Sequence, residues 1–446
     1  MAYIFSHTII LRMQGNGFLL SRKIISRWGV KGGLGILDQG LFSGANFFTN
    51  VLLARWLIPE AYGLYSIAFS LLLFLYQIYF SLILEPMSVL GPVRYSTQLR
   101  NYLVHQFKLH FIILLPVSVA GLMIYWAVSI QSPVPQSILT NLSVMLAVLP
   151  FLLMPWIFRR AAYILGLPGL AALSSGLYAI ILLSFFIFLQ MAGIFTALSV
   201  ILSTALAGLL GTGFAFFAFK KDAEVKSISF KKLVSENWYY GRWLMASSLL
   251  VIAAGQAQIF VAGSVLGAES AGVVRALQNF SQPMILVVTA FGNMAVPAFS
   301  SDLGRADLRS FRSKFSVVSV ASISMAVIYL LLLIIFGTRL ELLLYGGLYS
   351  SYADLIPVWG LIPVLLAINV APASALQAYQ KPQALLLVSI FWTIASVSSG
   401  FLFSDFWGIW GLTVSAVFGY VVAVTVFAIL YRIWLVQEIS STRTQA

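Results

Sequence analysis

Long apolar runs follow one another along almost the whole chain, and no other feature constrains its fold as strongly. Of the 446 residues, 61% are hydrophobic and only 9% are charged, whereas soluble domains average about 25% charged residues. A helix that crosses a bilayer needs about 20 apolar residues, so twelve such helices use about 240. The sequence supplies this number together with short connections. A soluble protein is therefore excluded, and an all-α polytopic membrane protein is predicted.

Twelve transmembrane helices are predicted between the charged and turn residues. Their ranges are 33–56, 63–84, 106–129, 137–157, 169–189, 194–219, 240–264, 270–298, 315–336, 352–377, 383–403 and 408–431. With a cytoplasmic N-terminus, 23 of the 26 lysines and arginines fall on the cytoplasmic side, and only Arg55, Arg275 and Arg339 remain for the other side. Because basic residues collect in cytoplasmic loops, both termini are predicted to be cytoplasmic. Residues 1–31 lack the pattern of a removed signal peptide.

The two halves of the chain resemble each other. The segment 57–63, after the first span, and the segment 266–272, after the seventh span, share a Leu, a Glu and a Gly at a constant offset of 209. Halves of six helices that start on the same side imply parallel repeats, related by an axis along the membrane normal. The sequence therefore predicts two pseudo-symmetric six-helix lobes around a central cavity.

A polar stretch in the middle of the chain separates the two lobes. The predicted organisation is a cytoplasmic N-terminal segment at 1–31, an N-lobe at 32–219, a cytoplasmic amphipathic linker at 220–238, a C-lobe at 239–436 and a cytoplasmic tail at 437–446. In the linker, Phe230, Leu233, Val234 and Trp238 share one helical face, which is typical of a helix at the membrane interface. Such a linker either merely joins the lobes as a tether or has a regulatory role.

Polar side chains recur along one face of several predicted spans. Lipid tails offer no hydrogen bonds, so such side chains face other helices or a water-filled cavity. Most lie on the first, second, seventh and eighth spans, which are equivalent in pairs under the repeat; they are Asp38, Gln39, Ser43, Asn46, Asn50, Ser66, Ser70, Gln77, Ser81, Gln256, Gln258, Arg275, Gln278, Gln282, Thr289 and Asn293. This distribution predicts a polar cleft between the lobes. The alternative is a set of helix–helix hydrogen bonds, worth about 0.6 kcal/mol each.

Two ionisable residues lie within the predicted spans. Arg275 costs on the order of 3 kcal/mol at the centre of a membrane helix. Snorkelling to the outer interface, pairing with Glu269 or binding an anionic substrate group would each offset this cost. Asp38 is interpreted either as a site for H⁺ or Na⁺ or as a partner of Arg27 or Lys31.

The sequence carries no signature of an enzyme. It has no cysteine and three histidines, and it lacks a phosphate-binding Gly-rich loop and a nucleophile elbow. We therefore expect no enzymatic activity and no cofactor beyond coupling to H⁺ or Na⁺. Basic loops that face anionic headgroups account for the net charge of +13, so no nucleic-acid partner is expected.

Several motifs between residues 38 and 90 are similar to those of a known transporter family. The segments Asp38-Gln39-Gly40, Pro59-Glu60-Ala61-Tyr62-Gly63 and Glu85-Pro86-Met87 resemble the polysaccharide-transporter branch of the multidrug/oligosaccharidyl-lipid/polysaccharide exporter superfamily. The resemblance implies a flippase of the bacterial cytoplasmic (inner) membrane. Such a protein would move an undecaprenyl-pyrophosphate-linked oligosaccharide, the repeat unit of a surface polysaccharide, from the inner to the outer leaflet by alternating access through a cationic cavity.

Under this resemblance, basic and amide side chains are expected to contact the lipid-linked glycan. The expected substrate-binding residues are Arg275, Gln278, Gln282, Asn46, Asn50, Gln77, Arg94, Lys108 and Arg159, with Tyr76 and Tyr79 against the sugars and Asp38 as the ion-coupling residue. The expected partners are the glycan substrate, the lipid bilayer and a polysaccharide polymerase or assembly protein. A cation-coupled multidrug antiporter of the same superfamily and a non-transporting scaffold of a glycan assembly complex are the alternatives.

Overall fold

The computed structural model describes residues 17–131, 137–220, 228–305, 307–379 and 382–444. Within these ranges the chain is helical and contains no strand. Numbered in chain order, the helices are α1 (Gly17–Trp56), α2 (Pro59–Tyr79), α3 (Glu85–Arg94), α4 (Leu99–Gln131), α5 (Ile138–Ala147), α6 (Leu149–Ile164), α7 (Pro168–Met191), α8 (Ala197–Lys220), α9 (Phe230–Val261), α10 (Ala268–Asn279), α11 (Gln282–Gly304), α12 (Leu308–Tyr345), α13 (Ile356–Ala378) and α14 (Pro382–Thr444).

These helices account for the twelve predicted spans. The second, fourth and eighth spans are each built from two helices, α2 with α3, α5 with α6, and α10 with α11. Helix α14 contains the eleventh and twelfth spans, because Gly408 interrupts it with φ of +56°. Among the described residues, eight helices are long and apolar enough to cross a membrane, or nine if the bent pair α5–α6 is one span. The predicted all-α fold of two lobes is confirmed.

The fourth and eighth spans are each interrupted halfway, a feature that the sequence analysis did not predict. Helices α5 and α6 meet at an angle of 52°, and α10 ends shortly before α11 begins. In both cases the second helix has a proline in its first turn, Pro150 and Pro283. A proline is tolerated there because the first-turn N–H groups have no partner inside the helix. Helix α6 also runs to Ile164, past the predicted boundary of the fourth span at residue 157.

The two ends of the bundle differ in their loops. We call the end with the connections at residues 94–99, 164–168 and 304–308 the basic end, and the end with the connections at residues 56–59 and 191–197 the opposite end. The first six spans form one lobe and the last six form the other. Helices α2 and α10, one from each lobe, pack against each other along the interface.

Two glycines allow α2 and α10 to approach closely at the opposite end. A Cβ atom on Gly63 would lie 1.6 Å from the backbone oxygen of Ala268, and a Cβ atom on Gly272 would lie 2.4 Å from that of Pro59. Gly63 and Gly272 are equivalent under the offset of 209, and each meets the first turn of the other helix. The contact therefore has the self-complementary form of a two-fold interface, as expected for parallel repeats, and it closes the bundle at this end.

The described part of the linker is continuous with the seventh span. Residues 221–227 lie outside the described residues, and from Phe230 onward the linker is the first part of α9, which continues without a break into the seventh span. Leu233 is buried, whereas the other three apolar residues of the predicted face are exposed. Glu236 joins this segment to the N-lobe by accepting hydrogen bonds from Arg94 at 3.1 Å and from the Tyr95 hydroxyl at 2.8 Å.

The membrane orientation can be tested with single cysteines, because the chain has none of its own. Ala192 lies exposed at the opposite end and Arg309 exposed at the basic end. The asymmetry of basic residues predicts that the basic end is cytoplasmic. On that prediction, an impermeant maleimide added to intact cells should label Ala192→Cys and not Arg309→Cys. Detergent-permeabilised cells should show labelling of both variants. The reverse pattern in intact cells would contradict the predicted orientation.

Candidate functional site

A central cavity of about 780 Å³ lies between the two lobes. Its walls come from α1, α2 and α6 of the N-lobe and from α9, α10 and α11 of the C-lobe. The lining residue Gln39, toward the basic end, is exposed, whereas Arg275, toward the opposite end, is buried. The cavity therefore opens at the basic end. Along α1 it extends from Gln39 to Asn50, which corresponds to a depth of about 16 Å at 1.5 Å per residue.

The lining of the cavity is cationic, amide-rich and aromatic. Arg159, Arg160 and Arg275 line it, and no carboxylate does so among the residues that the structure describes. The amides are Gln39, Asn46, Asn50, Gln256, Asn279 and Gln282, and the aromatic residues are Phe42, Phe47, Phe69, Tyr76, Trp156 and Tyr163. Such a lining is suited to an anionic group joined to a hydrogen-bonding body.

Arg275 lies near the closed end of the cavity, one turn from Gly272. Its Nη2 donates hydrogen bonds to Ser70 Oγ at 2.6 Å and to Gln256 Oε1 at 3.0 Å, and its Nη1 donates to Gln278 Oε1 at 3.2 Å. The guanidinium also lies 5.6 Å from the centre of the Phe69 ring. Helices of both lobes therefore hold this side chain in place.

The environment of Arg275 leaves its positive charge uncompensated. The side chain is only 6% exposed, so it does not snorkel to the surface. Its hydrogen-bond partners in the described structure are all uncharged, and Glu269 is not among them. The Nε atom is buried and has no partner. Of the three arrangements considered for Arg275 from the sequence, snorkelling and pairing with Glu269 are absent from these described contacts.

Asp38 lies behind the wall of the cavity and is fully buried. Its carboxylate accepts two hydrogen bonds from Arg159 Nε at 3.0 and 3.1 Å and one from Nη2 at 2.8 Å. The hydroxyls of Tyr163 and Ser175 donate to it at 2.6 and 2.5 Å. The sequence suggested Arg27 or Lys31 as partners, whose side chains lie outside the described residues; the structure pairs Asp38 with Arg159 instead.

The pair of Asp38 and Arg159 is expected to stabilise the N-lobe. Arg159 is 11% exposed, and the removal of one partner from a buried ion pair typically costs about 3–5 kcal/mol. Asp38→Asn should therefore lower the thermal midpoint of the purified protein by several degrees. The double variant Asp38→Asn/Arg159→Leu should recover much of that loss, because it leaves no unpaired charge. A single variant as stable as the wild type would contradict this assignment.

The other arginine at the open end also has a carboxylate partner. Arg160 Nη2 donates to Glu85 Oε2 at 3.3 Å, and both side chains are about one-third exposed. The Arg159 guanidinium additionally stacks on the Phe42 ring, 4.1 Å from its centre. Because each of these arginines is paired, the uncompensated positive charge of the cavity lies at Arg275.

The structure brings together six of the residues that the sequence analysis associated with substrate. Arg275, Gln282, Asn46, Asn50, Arg159 and Tyr76 line the cavity. Gln278 lies next to it and contacts Arg275, and Asp38 contacts Arg159.

Four predicted contact residues lie elsewhere. Gln77 is on α2 but outside the lining, Lys108 is exposed on α4, and Arg94 is paired with Glu236. Tyr79 is buried and hydrogen-bonds His110 Nδ1 at 2.7 Å. The structure therefore does not bring these four residues to the cavity.

Sequence reasoning missed several lining residues on the fourth span. Arg160 and Tyr163 follow the predicted end of the fourth span at residue 157, and Trp156 lies within that span without an assigned role. All three lie on α6, which the bend at Val148 and the longer helix direct to the cavity. The proline at position 150 was the available signal, because a proline in the middle of an apolar run marks a break in the helix.

The fold is shared with known transporters although the sequence is not. No protein-family model matches the chain, and no curated protein matches its sequence. A solved structure described as the inward-facing conformation of a multidrug resistance MATE family transporter of the MOP superfamily has a TM-score of 0.75 and 16% identity, over 92% of this chain and 99% of the other. An outward-facing conformation of such a transporter has a TM-score of 0.62, 16% identity and coverage of 94% and 96%.

A third solved structure has the same fold and a cavity of another character. It is a MOP superfamily transporter from Pyrococcus furiosus, with a TM-score of 0.54, 16% identity and 92% coverage of both chains, and its description states that the reverse polarity of its binding pocket suggests a different function. The higher TM-score with the inward-facing conformation agrees with a cavity that is closed at the opposite end. The chain therefore has the two-lobed fold of MATE transporters of the MOP superfamily.

Proposed function

We propose that the protein is a flippase that moves a pyrophosphate-linked glycan lipid across the membrane by alternating access. The observation that carries this proposal is Arg275, a buried guanidinium with only uncharged partners, in a cavity whose described lining contains no carboxylate. A buried arginine in a membrane protein is costly unless an anion or polar environment compensates it. A diphosphate provides that anion, and a guanidinium can bind it with two parallel hydrogen bonds.

The remainder of the cavity suits the other parts of such a substrate. Six amides and six aromatic rings surround the arginines. The amides can donate and accept hydrogen bonds with the hydroxyl groups of a glycan, and the aromatic rings can pack against the apolar faces of its sugar rings. The polyprenyl chain remains in the bilayer, as the amphipathic character of the substrate requires. The proposed location is the bacterial cytoplasmic membrane, with both termini in the cytoplasm, and the proposed protein partner is a polysaccharide polymerase or assembly protein.

The multidrug alternative is less well supported by the cavity. MATE transporters with multidrug resistance share the fold, and Asp38 on the first helix provides an acid. That acid is engaged by Arg159, Tyr163 and Ser175 and does not line the cavity. A lipophilic cation would instead meet the unpaired charge of Arg275, and like charges repel in a medium of low dielectric constant.

Transport by the purified full-length chain in liposomes distinguishes these functions. A fluorescent prenyl-pyrophosphate N-acetylglucosamine serves as the anionic probe and ethidium as the cationic probe. We expect the protein to move the anionic probe between leaflets. Ethidium should stay unmoved whichever sign of H⁺ or Na⁺ gradient is imposed. Movement of ethidium without movement of the anionic probe would favour the multidrug function.

A non-transporting scaffold is distinguished by obstruction of the cavity. Leu73 lines it and is only partly buried, so Leu73→Trp should fill part of it without breaking a hydrogen bond. A flippase should lose most of its transport in this variant, whereas a scaffold should retain its role in glycan assembly in cells. Full transport in Leu73→Trp at normal abundance would contradict passage through this cavity.

We also propose Asp38 as the residue that couples transport to H⁺ or Na⁺. Neutralisation of its carboxylate would release Arg159, which lines the cavity, so ion binding at Asp38 would change the charge that the substrate meets. Asp38→Asn cannot titrate, and transport by this variant should no longer depend on the gradient of the coupling ion. Unchanged ion dependence of the variant would leave Asp38 with its structural role alone.

A further inference from the structure

A second, smaller cavity lies in the C-lobe beside the central cavity. This C-lobe chamber has a volume of about 150 Å³, and helices α9, α10, α11, α13 and α14 contribute to it. Gln256 and Gln282 line both the chamber and the central cavity, so the two spaces share a wall of amide side chains. At about 30 Å³ per molecule the chamber has room for about five waters, which is comparable with one sugar ring.

The chamber is surrounded by buried polar atoms that lack partners. Gln258 Nε2, Trp359 Nε1, Trp392 Nε1 and Ser396 Oγ all line it and are all buried without a hydrogen bond. Most buried polar groups in proteins are paired, and each unpaired one costs about 1–3 kcal/mol. Four such atoms around one small cavity are available to donate hydrogen bonds to a ligand.

The chemistry of the lining specifies the ligand. All four unpartnered atoms can donate, and an indole N–H can only donate, so the ligand presents acceptor oxygens. No Asp, Glu, Lys, Arg or His lines the chamber in the described residues, so nothing in it compensates a full charge of either sign. Trp359, Trp392 and Tyr420 supply aromatic surface. An uncharged ring with hydroxyl or acetamido groups meets each of these requirements.

The chamber is also coupled to Arg275 through two of its lining side chains, Gln256 and Gln278. Gln278 lines the chamber, accepts a hydrogen bond from Arg275 through Oε1 and donates to the Gly255 backbone oxygen at 3.2 Å. Resting on the function proposed above, we propose that the C-lobe chamber is the subsite for one uncharged sugar of the substrate, adjoining the diphosphate that Arg275 binds. Different residues then bind the glycan and the diphosphate, so a substitution can remove the binding of one without removing that of the other.

The test uses variants that remove only unpartnered donors. Gln258→Leu/Ser396→Ala and Trp392→Phe delete three of the four atoms without breaking any hydrogen bond that the structure gives those atoms, so the folded protein should be as stable as the wild type or more stable. Ser399→Ala is the matched control, because Ser399 is buried three residues along the same helix and does not line the chamber. The probes are undecaprenyl pyrophosphate with and without one N-acetylglucosamine, bound by the full chain in nanodiscs.

We expect the wild type and Ser399→Ala to bind the glycosylated probe about tenfold more tightly than the bare one, the effect of one or two hydrogen bonds. In Gln258→Leu/Ser396→Ala this ratio should fall to about 1–2, with the affinity for the bare probe unchanged. A ratio that persists in the variants, or that is already one in the wild type, overturns the subsite and leaves the diphosphate site standing. A wild type that binds neither probe overturns the proposed function together with the subsite.

Discussion

Arg275→Gln should reduce the affinity for a prenyl-pyrophosphate probe by about 100-fold and abolish its movement across the bilayer. Truncation of one member of a buried charge pair costs about 2–5 kcal/mol, because the remaining charge is left without a partner in a site from which water is largely excluded. Glutamine retains polarity and approximate length, so the hydrogen bonds to Ser70 and Gln256 can be partly replaced. Equilibrium binding in nanodiscs and leaflet exchange in liposomes measure the two effects.

Two further arginine variants make this result specific. Arg275→Lys keeps the charge but loses the planar pair of donors, so its affinity should lie between those of the wild type and Arg275→Gln. Arg339→Gln removes the same charge from an exposed position on α12 and should bind and transport as the wild type does. Wild-type transport by Arg275→Gln would show that the guanidinium has only a structural role, and the proposal of an anionic substrate would lose its main support.

Gly63→Ala should have the second large effect, by opening the contact between the lobes at the opposite end. The new methyl group would lie 1.6 Å from the backbone oxygen of Ala268, and backbone atoms cannot rotate away as a side chain can. Helices α2 and α10 must therefore move apart until the methyl group and the Ala268 oxygen are at van der Waals distance. This movement destabilises the state in which the cavity opens at the basic end. We expect transport to fall at least about tenfold, since a destabilisation of 1.4 kcal/mol already changes an equilibrium by that factor.

The separation can be measured directly. Spin labels on Ile58→Cys and Leu342→Cys report the distance between the lobes, because both positions are exposed at the opposite end and the background has no cysteine. The distance should lengthen in Gly63→Ala. It should not change in Gly40→Ala, where a Cβ atom meets nothing within 4 Å. An unchanged distance together with normal transport in Gly63→Ala would contradict the close packing described above.

The sequence by itself determined the features of each helix that depend on the bilayer, namely the length of its apolar run and the position of its polar face. An apolar run either reaches the length of a span or does not, and a polar stripe either follows the helical period or does not. The stripe of Gln39, Ser43, Asn46 and Asn50 on the first span was therefore identified correctly as facing a cleft. The constant offset of 209 likewise predicted equivalent lobes, and its glycines meet at the interface.

Only the tertiary structure decided which basic residue reaches the cavity and which residues it contacts there. The bilayer sorts charge by its distance along the membrane normal, so Arg94, Lys108 and Arg159 were indistinguishable in the sequence, although Arg159 alone of the three lines the cavity. The direction of a side chain around the normal depends on how helices bend and pack, and these contacts join residues far apart in the chain. Asp38 pairs with Arg159 across 121 positions, and no local pattern contains that pairing.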